Sequence, residues 1–234
     1  MLALSIANCA FLPCLAVASS AFAANAVRIS QVYGGGGGST GTYLRDYVEI
    51  YNNGNTPVNI GGWTLQYGSA AGNWGSSAGN IFTFPVGTTI QPCQYMLLEA
   101  GASGTAGVAL PVAADFSTAL TGFSMSGTTG KVALFSTGTG NANVACGAEA
   151  VGTIVDKVSY GGGNCPEGTN VGTLSSTQGA VRNNAGVTDT DNNLADFTIV
   201  ANPVPRNSAS PRNASCLVTP TSKSTWGAVK SIYR

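Results

Sequence analysis

Short runs of alternating apolar and polar residues, each ended by a cluster of Gly, Asn or Ser, constrain this chain more than any other feature. Val27-Arg28-Ile29-Ser30-Gln31-Val32-Tyr33 alternates and stops at Gly34 to Gly38. Tyr47-Val48-Glu49-Ile50-Tyr51 stops at Asn52-Asn53-Gly54, and Val58-Asn59-Ile60 leads through Gly61-Gly62 into Trp63-Thr64-Leu65-Gln66-Tyr67. Ile81 to Phe84, Gln94 to Glu99, Lys131 to Phe135, Thr153 to Tyr160 and Phe197 to Val200 continue the series. A period of two places alternate side chains on opposite faces of a strand, and the turn residues between runs return the chain antiparallel. No helical period is sustained between Val27 and Pro211. Only 9% of the residues are charged and 32 are glycine, against roughly 25% charged in an average globular chain, so the residues that build exposed helix faces are missing. The expectation is a single all-β domain, a two-sheet sandwich of about eight or nine strands. Gly101 to Gly130 reads as a long excursion between strands with room for one short strand or turn, and Asn202 to Pro211 as turn and extended chain that ends the domain.

The start of the chain reads as an export signal. Leu2 to Val17 is mostly apolar and Ala21-Phe22-Ala23 is a small-x-small cleavage site, so residues 1–23 are expected to be removed and 24–211 to form the domain. Asn8 and Pro13 interrupt the apolar stretch, which is too short for a membrane anchor, and no transmembrane segment is expected after cleavage. Residues 212–234 read as a polar linker and a short amphipathic tail in which Trp226, Val229 and Tyr233 share a face. Cleavage leaves Cys93, Cys146, Cys165 and Cys216, an even number in an exported chain, which predicts two disulfides. Cys146 and Cys165 flank one expected strand and are the preferred pair; Cys93–Cys216 then follows. A secreted or cell-surface location follows from the same residues.

The chain has no histidine and equal numbers of basic and acidic residues. Without histidine, Ser-His-Asp and Cys-His nucleophile systems and most zinc sites are excluded. With no basic stripe, nucleic acid is not an expected partner. A hydrolase would have to use carboxylates alone, and Glu49, Glu99 and Asp156 lie mid-strand in different runs. The Gly34–Gly38 run lacks the Lys-Ser/Thr ending and following helix of a phosphate loop, and reads as a flexible hairpin loop.

Asp189-Thr190-Asp191-Asn192-Asn193-Leu194-Ala195-Asp196 concentrates oxygen ligands. Asp189, Asp191, Asn193 and Asp196 form a candidate Ca²⁺ set, since that ion takes six to eight oxygens. The same residues suit an Asx-turn cluster, with side chains capping backbone N–H groups ahead of the last strand. No cofactor is otherwise required. Tyr33, Tyr43, Tyr67, Trp74 and Phe82 are candidates for a binding face; Trp74, in a Gly- and Ser-rich loop, and Tyr43 are the best exposed anchors, whereas Trp63 is assigned to the core.

Val27 to Gly36, Asp46 to Asn52, Gly61 to Tyr67, Gly130 to Leu134, Val155 to Gly161, Asn164 to Gly168, Asp189 to Asn193, Asn202-Pro203 and Pro205 to Ser208, taken in order, resemble the bacterial lamin-tail domain family over nearly the whole mature chain. The resemblance implies an immunoglobulin-like β-sandwich. It also implies a binding or attachment module, often found beside nuclease or phosphoesterase domains in secreted bacterial proteins. Cys93 stands where that pattern commonly has a turn glycine, and Val187, not a cysteine, immediately precedes Thr188. The functional expectation is a non-enzymatic extracellular interaction module whose partner is a protein, a glycan or a cell-surface component. The alternatives are a stand-alone accessory substrate-binding domain of an extracellular nuclease or phosphoesterase system, and a small carboxylate-dependent hydrolase.

Overall fold

In a computed structural model the described residues are 26–118, 122–138, 141–214 and 216. The expected signal 1–23 and nearly all of the tail, including Trp226, Val229 and Tyr233, fall outside them.

The described residues form twelve strands. These are β1 (Val27–Tyr33), β2 (Asp46–Asn52), β3 (Val58–Asn59), β4 (Thr64–Gly68), β5 (Ile81–Thr83), β6 (Thr89–Ile90), β7 (Tyr95–Ala100), β8 (Phe116–Ser117), β9 (Gly130–Phe135), β10 (Ile154–Tyr160), β11 (Gln178–Arg182) and β12 (Phe197–Ala201). One sheet runs β12-β11-β1-β2-β7-β8, a second runs β10-β9-β4-β5, and β3 pairs with β6. Every pairing is antiparallel except β7 with β8. All nine anticipated runs carry strands. The additional ones are two-residue β6 and β8, and β11.

The alternation read from the sequence sets the packing. Val27, Ile29 and Val32 of β1, Val48 and Ile50 of β2 and Leu98 of β7 meet Leu65 and Tyr67 of β4, Val132 and Leu134 of β9 and Val158 and Tyr160 of β10 in one buried core. Burying such side chains contributes about 1.5–3 kcal/mol each, which makes this core the principal source of stability. Trp63 is half-buried at the margin of that core, not inside it. Two disulfides close the frame, Cys146–Cys165 across the loops flanking β10 and Cys93–Cys216 tying the chain beyond Pro211 to the turn before β7.

The Gly34–Gly38 run is not a uniformly flexible loop. A Cβ at Gly34, Gly35 or Gly36 would lie within 2.4 Å of backbone atoms of Ser126, Ser176 and Arg45 respectively. These three glycines are there because other segments pass directly against the chain.

The outer face of the six-stranded sheet is also covered. Tyr33, Tyr43, Tyr47 and Leu97 form one buried cluster there, and Tyr51, Tyr95 and Cys93 another. Residues 202–210 run across this face as a strap. The Pro203 carbonyl accepts from Tyr43 Oη at 2.8 Å, the Val204 carbonyl accepts from Gln31 Nε2 at 3.0 Å, and Arg206 stacks 3.8 Å from the Tyr95 ring.

Candidate functional site

The Asp189–Asp196 segment folds back beside β10 and β11, where it meets a buried guanidinium. Arg182, the last residue of β11, has no exposed side-chain surface. Its Nη2 lies 2.6 Å from Asp156 Oδ2, and its Nη1 lies 3.1 Å from Asp189 Oδ1 and 3.7 Å from Asp196 Oδ2. Arg28 approaches Asp189 from β1 at 3.5 Å. Asp156 and Arg182 also stand in for a missing piece of ladder. β1 pairs with β11 at Gln31 and Val32, whereas at Ile29 the N–H donates to Asp156 Oδ2 at 2.5 Å and the carbonyl accepts from Arg182 Nε at 2.7 Å. The ion pair therefore satisfies backbone groups that would otherwise be buried without partners.

The remaining oxygens of the segment bind backbone. Asp196 accepts from the Thr190 N–H at 2.9 Å, from Thr190 Oγ1 at 2.7 Å and from the Asn192 N–H at 3.3 Å. Asn193 Oδ1 accepts from the Ser159 N–H at 2.9 Å and the Glu167 N–H at 3.2 Å, while its Nδ2 donates to the Lys157 carbonyl at 3.0 Å. Asn192 caps the helical turn Asn193–Asp196 through the Leu194 N–H. Asp191 is exposed, with a left-handed φ of 55°. Of the four residues proposed as calcium ligands, three are thus engaged by arginine or by backbone, in the manner of an Asx-turn cluster.

A different acidic trio converges: ligand oxygens of Asp156, Glu167 and Asp189 lie within 4.8 Å of one another. Arg182 brings positive charge to this trio. Burial pushes Arg182 down, but Asp156 and Asp189 outweigh it and hold the guanidinium above its ordinary value. Burial, reinforced by the Asp156 charge, pushes the Glu167 carboxyl up to about 8. Sequence reasoning missed Arg182 and Glu167. The available signal was an arginine closing a short run, Gly179-Ala180-Val181, which has little strand character of its own.

The mid-strand carboxylates do not meet as a pair. Glu49 is fully buried on the outer face of β2. It accepts from the Arg206 N–H at 2.6 Å and Nη2 at 2.7 Å, from Ser30 Oγ at 2.5 Å and from Gln31 Nε2 at 3.1 Å. Burial raises its carboxyl and Arg206 opposes that rise. Glu99 sits 3.9 Å from Arg45, and Asp156 belongs to the Arg182 pair. A glycosidase-type acid and nucleophile must face one open cleft, whereas Glu49 and Asp156 are each buried against their own arginine.

Both proposed aromatic anchors are core residues. Trp74 is fully buried against Ala133, Phe135 and Cys165, and its Nε1 donates to Glu149. Tyr43 is buried beneath the strap, and Tyr33 with it. The Gly- and Ser-rich loop that suggested an exposed Trp74 instead folds onto the outer face of the four-stranded sheet and covers its aromatic residues. Tyr67 lies in the central core and Phe82 packs half-buried against it.

The fold and these contacts define a disulfide-stapled, immunoglobulin-like β-sandwich whose internal charges are tied to its own backbone. The lamin tail domain sequence profile matches residues 20–162, more than half of the chain, and the protein belongs to that family. The crystal structure of a DUF4876 family protein from Bacteroides thetaiotaomicron is similar in fold, with a TM-score of 0.55 at 14% identity over 82% of this chain and 75% of that one. No curated protein matches the sequence.

Proposed function

We propose that this protein is an exported, non-enzymatic interaction module, held at or near the cell surface, that binds an extracellular protein, a glycan or a wall component. The observation that supports this reading is the use made of the ionisable residues. Asp156, Glu49, Asp189 and Asp196 are each bound by an arginine or by backbone N–H groups, so they serve the sandwich instead of facing a substrate. Among the described residues no helix is long and apolar enough to cross a membrane, and two disulfides suit an oxidising compartment. With Trp74 and Tyr43 buried, contact with a partner falls to the polar loops. Equal positive and negative charge gives no electrostatic reason to favour nucleic acid.

The test is to apply purified, fluorescently tagged mature protein to intact cells of the source organism and to a glycan array. Saturable retention that unlabelled protein competes away supports the module reading. Turnover of a phosphodiester or glycoside substrate by the same preparation, abolished by Glu49→Gln or Asp156→Asn in a protein that still folds, would replace it with an enzymatic one.

A further inference from the structure

Lys131 stands within β9 on the outer face of the four-stranded sheet, and none of it reaches solvent. Its cross-strand neighbours are Gly68 on β4 and Ser159 on β10. Gly68 leaves room for the lysine, since a Cβ there would lie 2.6 Å from Lys131 Cε and 3.0 Å from the Asn73 carbonyl oxygen. The side chain ends against three groups. The Trp74 ring centroid lies 4.8 Å from Nζ, the Gly72 carbonyl accepts from Nζ at 2.6 Å, and the Asn164 carboxamide oxygen is its other partner.

Each member of this group is held in place. The Asn164 N–H donates to the Ala70 carbonyl at 2.8 Å, and the next residue, Cys165, is joined to Cys146. Glu149 accepts from Trp74 Nε1 through one oxygen and from the Gly147 N–H at 2.7 Å through the other, and it lies 3.7 Å from Cys165 Sγ. Burial lowers the Lys131 ammonium and the Glu149 charge opposes that shift, so burial favours the neutral, nucleophilic amine. A primary amine and a carboxamide are thus held in contact, with the lysine itself out of solvent. Positioning of this kind can replace most of the entropic part of a bimolecular barrier.

We propose that Lys131 and Asn164 are joined by an intramolecular isopeptide bond. The neutral Lys131 Nζ attacks Asn164 Cγ and sheds one proton. The tetrahedral centre collapses with cleavage of the Cγ–Nδ2 bond, and the proton passes to the departing nitrogen. One C–N bond forms, one breaks, and the amine and carboxamide become a secondary amide plus ammonia. No oxidant, reductant or second substrate is needed. Asn164 is exposed on its outer side, which gives the ammonia a direct exit. The bond would tie the start of β9 to the loop following β10, beside the Cys146–Cys165 bridge, as a cross-link that reduction cannot open.

Intact-mass measurement of the purified, reduced mature protein should give a value lower than its sequence by one ammonia. Digestion with a lysine-specific protease should leave the Lys131 peptide bond uncut and yield a branched peptide containing Lys131 and Asn164. Lys131→Met and Asn164→Ala should each restore the unmodified mass. A wild-type mass equal to the sequence, or an ammonia loss mapped elsewhere with Lys131 cleaved normally, overturns the bond whether or not the variants fold.

Discussion

Removing the guanidinium of Arg182 is the perturbation whose consequence can be worked out furthest. Arg182→Ala leaves Asp156 and Asp196, with 4% and 0% of their side-chain surface exposed, without the cation that faces them. Breaking a buried pair from one side costs about 3–5 kcal/mol, because the surviving charge is stranded. The variant also removes the donor to the Ile29 carbonyl, and an orphaned buried acceptor costs about 1–3 kcal/mol. These losses share one side chain and are not additive, so we expect about 4–6 kcal/mol in total. For a domain of this size each kcal/mol moves the melting temperature by about 2–4 °C, giving a fall on the order of 10–20 °C. Thermal and urea unfolding followed by circular dichroism would measure it. The deficit should shrink at acid pH, where the stranded carboxylates take up protons. The double variant Arg182→Leu/Asp156→Leu should recover part of it, since an apolar pair of similar volume can replace a buried ion pair. A loss below about 1 kcal/mol at neutral pH, where the pair should count most, would refute the reasoning.

Three further outcomes are expected. Glu167, raised to about 8 from 4.5, stabilises the fold while protonated; its contribution is complete below the unfolded value and is lost as pH rises through the folded one. The melting temperature should therefore fall between about pH 4.5 and about pH 8 and level off above that, and Glu167→Gln should flatten that slope, whereas an unchanged slope counts against the assignment. Exchanging chelator for millimolar Ca²⁺ should leave the melting temperature unchanged, because Asp189, Asn193 and Asp196 are already engaged. A rise of several degrees that Asp191→Ala removes would establish calcium binding. Mass spectrometry under non-reducing conditions should find no free thiol among Cys93, Cys146, Cys165 and Cys216; two or more free thiols would remove the argument for export.

Much of the framework was legible because its strands carry their instructions locally. In β2, β4, β7 and β9 the inward residues, Val, Ile, Leu, Met, Ala and Tyr, recur at a period of two, β1 and β10 keep it on either side of a bulge, and turn residues mark their ends. β11 was not legible, since Gln178-Gly179-Ala180-Val181-Arg182 offers one β-branched residue and ends in a charge. Arg182 is inside because Asp156, 26 residues earlier, is inside, and no local pattern encodes such a partnership. The burial of Trp74 and Tyr43 was hidden for a related reason. Each is covered by chain distant in sequence, Trp74 by Glu149 and Cys146 and Tyr43 by the Pro203 strap. Alternation reports the pleat of a strand but not what later lies over its outer face. The Asp189–Asp196 cluster was visible as a dense set of oxygens. Its partners were not, because they come from β1, β10 and β11.

The central claim is that this sandwich acts by holding a surface partner and not by turning over a substrate. The most direct test is equilibrium binding of the purified mature protein to intact cells of the source organism, titrated to saturation and competed with unlabelled protein. The account predicts a saturable, competable isotherm that persists in chelator and is lost when the protein is unfolded. Retention that stays linear with concentration and resists competition would contradict it.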